Sequence, residues 1–143
     1  QAKQAADLHT PGFNQRVVHE VIRNGFLDQH IPSIRALYKA NRDAMAEALQ
    51  AYLPPGCEWQ NPQGGMFFWI RLPAGLDAMA LLPQAVEAGI AYVPGAAFYA
   101  HQPDARTLRL SFVTLTPDLI REGVEKLGRL LHEALALAPE PAP

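Results

Sequence analysis

Apolar residues recur along the first third of the chain at the spacing of a helix. Phe13, Val17, Val18, Val21 and Ile22 share one face of a helix predicted over 13–23, and Gly25 suits its stop. A second stripe, Ile34, Leu37, Tyr38, Asn41, Met45, Ala48 and Leu49, predicts a long helix running to Tyr52, where Pro54-Pro55-Gly56 ends it. Asp28 would be a good N-cap, but it leaves Pro32 beyond the first turn, so the pattern favours a start near Ile31. Ahead of both, Gln1–Ala6 reads as the middle of a helix, and Asp7-Leu8-His9-Thr10-Pro11-Gly12 as a loop with Asp7 or Thr10 able to cap the helix after it.

After Pro55 the period changes. Cys57–Gln60 is a short strand candidate, and Asn61-Pro62-Gln63-Gly64-Gly65 a tight turn. Met66–Leu72 is apolar at nearly every position, which predicts a strand buried on both faces. Asp77 caps a helix reaching Ala88, with Gly89 just past its end and Pro83 inside it, predicting a kink or a late start. Ile90–Val93 is a third strand ended by Pro94-Gly95, and Ala96–Ala105 is a loop. In Thr107–Phe112 the apolar Leu108, Leu110 and Phe112 alternate with Arg109 and Ser111, the period of a strand with one packed face. Thr116, Pro117 and Asp118 open a last helix whose stripe is Ile120, Val124, Leu127 and Leu131. From Glu58 the order is β-β-α-β-β-α. This is the α/β class: an α+β unit with a small mixed sheet covered by helices and preceded by a long helix. The first residues read as the edge of another domain.

Composition narrows the setting. The chain has 143 residues, 49% hydrophobic and 18% charged, enough apolar surface for a core and too little charge for a disordered chain. A formal net charge of −2 offers no basic field for nucleic acid. No apolar run reaches membrane-spanning length. The one cysteine, Cys57, suits a reducing, cytoplasmic compartment. The helical register at Gln1 suggests a piece of something longer, and the Pro-rich 139–143 a disordered tail.

The candidate chemistry is thin. Arg109 is a cation on a rigid element, and its planar fork matches a carboxylate or phosphate. Gly64-Gly65 lacks the spacing of a phosphate loop and opens a strand, so it is either a turn needing positive φ or a place where backbone approaches a ligand beside Phe67. His9, His19, His30, His101 and His132 are not paired at ligand spacing, which argues against a metal site. Lys3, Lys39 and Lys126 lie in helical stretches with polar neighbours, not in the apolar setting that makes a lysine a nucleophile. Taken residue by residue, this is half a site: an anion-binding arginine, two glycine turns and no nucleophile.

Three motifs in order resemble a known family. Gly64-Gly65-Met66-Phe67-Phe68-Trp69, Val93-Pro94-Gly95-Ala96-Ala97-Phe98-Tyr99 and Leu108-Arg109-Leu110-Ser111-Phe112 are similar to the C-terminal part of fold-type I aminotransferases dependent on pyridoxal 5'-phosphate. The 2-aminoadipate and kynurenine aminotransferase branch is the best match, and Asp7-Leu8-His9-Thr10 with Asn14-Gln15 fits it. The resemblance implies that Arg109 binds the α-carboxylate of an amino-acid or 2-oxo-acid substrate, with Phe67 and Gly65 beside the substrate. It also implies that His9 and Thr10 lie in a loop directed to the neighbouring subunit of a homodimer. Residues 1–27 would end the large cofactor-binding domain, and 28–138 would form the small domain. The Schiff-base lysine and the cofactor contacts would lie upstream, so the resemblance implies a chain with no catalytic residue, inactive alone. A MocR-type (GntR family) transcription regulator with an aminotransferase-like effector domain is the alternative.

Overall fold

The structure, a computed structural model, describes residues 1–137. The tail expected at 139–143 lies outside them. The chain divides into two compact units, Gln1–Leu37 and the part from Tyr38 onward.

The first unit holds α1 (Ala2–Ala6), α2 (Gly12–Ile22) and the start of α3 (Phe26–Tyr52). Neither Asp7 nor Thr10 caps α2. The Thr10 hydroxyl donates to Asp7 Oδ2 at 2.9 Å, and Pro11 takes the cap position. Gly25, at φ +75°, makes the turn between α2 and α3. The long helix therefore starts at Phe26, five residues before the expected Ile31, and carries Pro32 inside it. The start is favoured locally by stacking of Phe26 on His30, with ring centroids 5.0 Å apart. The α2 stripe of Phe13, Val17, Val18, Val21 and Ile22 is exposed.

The second unit is two layers. Strands β1 (Glu58–Trp59), β2 (Phe67–Arg71), β3 (Val93–Pro94) and β4 (Thr107–Ser111) form one sheet in the order β1-β2-β4-β3. Every neighbouring pair is antiparallel, so the sheet is not mixed. Strands β2 and β3 do run parallel, joined through α4 (Ala78–Glu87), but β4 inserts between them and pairs antiparallel with both. One face of the sheet, Phe68, Ile70, Leu108 and Leu110, is buried. It forms one core with Met45, Ala48 and Leu49 of α3, Ala78, Leu81 and Ala85 of α4, and the predicted Ile120, Val124, Leu127 and Leu131 of α5 (Pro117–Leu137).

The other face of β2 is not buried as expected. Phe67 and Trp69 remain 37% and 38% exposed. Their apolar character hides the alternation in the sequence. Helix α4 starts on Asp77, whose Oδ1 accepts from Met79 N at 2.7 Å and Ala80 N at 3.1 Å, so Pro83 does not delay it. The third strand is shorter than expected and begins at Val93, because Ile90 closes the helix end. Ile90 N donates to Ala85 O and Gly89 N to Val86 O, a Schellman pair around Gly89 at φ +79°. Pro94, expected to end the strand, belongs to it, as an edge position permits.

Candidate functional site

The open sheet face is built from Phe67, Trp69 and Arg71 of β2, Thr107, Arg109 and Ser111 of β4, and Val93 of β3. The register sets Phe67 opposite Ser111, Trp69 opposite Arg109 and Arg71 opposite Thr107. Arg109 is anchored by its neighbours, since Leu108 and Leu110 on either side point into the core at 0% and 6% exposure. The guanidinium carbon lies over the Phe67 ring, 4.1 Å from its centroid, and over the Phe98 ring at 4.7 Å. Ring faces are electron-rich and attract a cation, so both contacts favour the charged fork in this place. Arg109 Nε is enclosed and has no hydrogen-bond partner. No carboxylate among the described residues forms an ion pair with Arg109.

Arg71, on the neighbouring strand of the same face, is placed differently. Arg71 Nε donates to Asp104 Oδ2 at 2.8 Å, and its Nη1 lies 3.7 Å from Glu58 Oε2. Arg106 Nε also donates to Asp104, at 3.3 Å. The Arg106 backbone N–H, then the Arg71 side chain, hold the Asp104 carboxyl below the usual carboxylate range. A depression of about 540 Å³ lies there, lined by Trp59, Trp69, Arg71, Tyr99 and Asp104 among others. Its cation already has anionic partners. Arg109 has no such partner among the described residues.

The structure brings Arg109 and Phe67 together. Gly65, two residues ahead of Phe67, has φ +79°, and nothing lies within 4 Å of where a Cβ would be. His9 and Thr10 belong to the first unit, in the loop between α1 and α2. The sequence carries Phe98 only inside the Val93–Tyr99 motif and assigns it no role. It sits at the end of a single 3-10 turn, Gly95–Phe98, and no periodicity marks it. A signal exists in Gly95, where a Cβ would fall onto Thr107 Oγ1 and 2.8 Å from Trp69 Cη2. Only glycine lets the turn seat this closely on the sheet.

None of the lysines suits a Schiff base. Lys3 pairs with Asp7 at 3.4 Å, Lys39 with Asp43 at 2.7 Å and Lys126 with Glu122 at 2.7 Å, each on a helix surface. Among the described residues, no group of His, Cys, Asp and Glu is placed to hold a metal ion, and no helix is long and apolar enough to cross a membrane.

The second unit is thus a short antiparallel sheet backed by helices, with Arg109 unpaired on its open face among the described residues. The chain belongs to the family described as aminotransferase class I and II, whose profile matches residues 1–127. It is 44% identical over 134 residues to aromatic-amino-acid aminotransferase 1 of Thermococcus litoralis, covering 94% of this chain and 32% of that protein. Among solved structures it is similar to a Pyrococcus horikoshii kynurenine aminotransferase in complex with PMP, kynurenine and its product. That match has TM-score 0.84 and 46% identity, over 94% of this chain and 33% of that one. It is also similar to the α-aminoadipate aminotransferase LysN of Thermus thermophilus, complexed with N-(5'-phosphopyridoxyl)-L-leucine. Here the TM-score is 0.85 and the identity 45%, over 96% of this chain and 35% of that one. The chain spans about a third of the length of these relatives. These likenesses confirm the expected fold, the C-terminal portion of a fold-type I aminotransferase.

Proposed function

We propose that this chain is the substrate-carboxylate-binding part of a pyridoxal-phosphate-dependent aminotransferase. The enzyme moves an amino group between an amino acid of 2-aminoadipate, leucine or aromatic type and a 2-oxo acid. The observation that carries the reading is the Arg109 fork, seated against Phe67 and Phe98 with no anionic partner among the described residues. A carboxylate is planar and accepts two parallel N–H bonds from such a fork. Pinned there, the amino acid has one end fixed, and with it the direction of the bonds at its Cα. Phe67 lies against the same guanidinium and Gly65 leaves open space before it, so both stand where the substrate would lie.

The described residues fit the substrate and not the cofactor, because each lysine is committed to a surface ion pair. Pyridoxal phosphate therefore belongs on other parts of the protein, and this chain alone catalyses no transamination. In the same reading, residues 1–27 end the large domain and 28–138 make the small one. The full protein is a homodimer in which the His9–Thr10 loop turns toward the neighbouring subunit.

The test is Arg109→Lys in the full-length protein. Replacing the fork by a point charge loses one charge-assisted hydrogen bond, about 1.5–3 kcal/mol, so kcat/KM should fall by about 10- to 100-fold. An unchanged kcat/KM would return Arg109 to the status of a surface residue.

A further inference from the structure

We infer that Phe98 is a positioning residue for the carboxylate-binding arginine, an inference that rests on the carboxylate reading of Arg109. Phe98 is 51% exposed, so the buried core does not fix its ring and surface neighbours must. Two contacts do so. Its ring meets the Trp69 ring edge to face, centroids 5.8 Å apart, and lies 4.7 Å from the Arg109 guanidinium carbon. The turn that carries it is seated by Gly95 against Thr107 and Trp69 with no room for a side chain.

The topology explains why this ring matters in addition to Phe67. Strand β4 lies between β2 and β3 in the sheet. Phe67 reaches Arg109 from β2, and Phe98 from the turn after β3, so the two rings come from opposite flanks of β4. An arginine side chain free to sample its rotamers gives up that freedom when it binds an anion. A guanidinium already held by two rings gives up less, and the gain is affinity through preorganisation. The described contacts of the Phe98 ring are Trp69 and the Arg109 guanidinium, so the role inferred for it runs through Arg109. Loss of the Phe98 ring should therefore weaken binding of every carboxylate substrate alike and leave turnover of the bound substrate largely intact.

The experiment is a double-mutant cycle in the full-length protein with Phe98→Leu, Arg109→Gln and the pair, plus Phe98→Tyr. The donor is whichever of L-2-aminoadipate, L-leucine and L-kynurenine the wild type turns over fastest, and kcat and KM are read separately. Phe98→Leu keeps apolar bulk but removes the ring. It should raise KM about 10-fold, within the range of a partly desolvated cation–π contact, with kcat within about 2-fold. Phe98→Tyr should restore the wild-type KM. In the Arg109→Gln background, Phe98→Leu should add nothing further. An unchanged KM in Phe98→Leu, a loss confined to kcat, or losses that multiply in the double variant would overturn the inference. If Arg109→Gln itself leaves KM unmoved, or no donor is turned over, the carboxylate reading fails first and takes this one with it. If Arg109→Gln raises KM and Phe98→Leu does not, only the role of Phe98 fails.

Discussion

Gly95→Ala is the change that the geometry of the aromatic face opposes most strongly. The added Cβ would meet Thr107 Oγ1, stand 2.7 Å from Thr107 Cβ and lie 2.8 Å from Trp69 Cη2. Comfortable carbon contacts are about 3.5–4.0 Å, so a gap of about 1 Å must open on two sides. Thr107 cannot give way. It is 2% exposed, lies on the central strand β4 and donates its hydroxyl to Asp104 O at 2.7 Å. The turn and the Trp69 ring must move instead, and Phe98 moves with them. Overpacking of this kind costs about 1–3 kcal/mol. In the full-length protein, the thermal midpoint of this domain should fall by about 3–10 °C, and KM for the amino-acid donor should rise as Phe98 leaves Arg109. Gly123→Ala is the control. It lies inside α5 with nothing within 4 Å of the new Cβ, and should stabilise by about 0.5–1 kcal/mol through helix propensity. A Gly95→Ala protein with wild-type midpoint and KM would refute the close seating of the turn.

Two further outcomes are expected. Asp77→Ala removes a side chain that accepts two N–H bonds at the start of α4, and should cost about 1 kcal/mol in urea unfolding, with Asp77→Asn largely wild type. Burial pushes the Cys57 thiol from 9.0 to about 11. The folded state thus holds its proton longer than the unfolded chain, so this contribution to stability is complete below about pH 9 and declines as pH climbs toward 11. At pH 8 the native protein should alkylate at Cys57 about 100-fold more slowly than the unfolded chain, read by peptide mass. Equal rates would contradict the burial.

Helix identity and core faces were legible where the period was clean. The stripe of α5 and the alternation of Leu108 and Leu110 are both buried as the pattern predicts. Three features were not legible, each for a physical reason. Helix α3 begins at Phe26 because a left-handed Gly25 and ring stacking outweigh the signal of Pro32. The open face of β2 carries Phe67 and Trp69, so apolar content alone could not separate a covered face from an open one. The sheet is antiparallel because β4 inserts between β2 and β3, a long-range pairing that no local spacing encodes. At the site, Arg109 and Phe67 were visible as motif residues. The role of Phe98 was not, since its contact depends on how the turn after β3 folds onto the sheet.

The most direct measurement is a crystal structure of the full-length protein with an amino-acid donor of the proposed classes bound. The account predicts both carboxylate oxygens on the Arg109 fork at about 2.7–2.9 Å, with the Phe67 and Phe98 rings still against the guanidinium. A carboxylate held elsewhere, with Arg109 free or paired to a protein side chain, would contradict it.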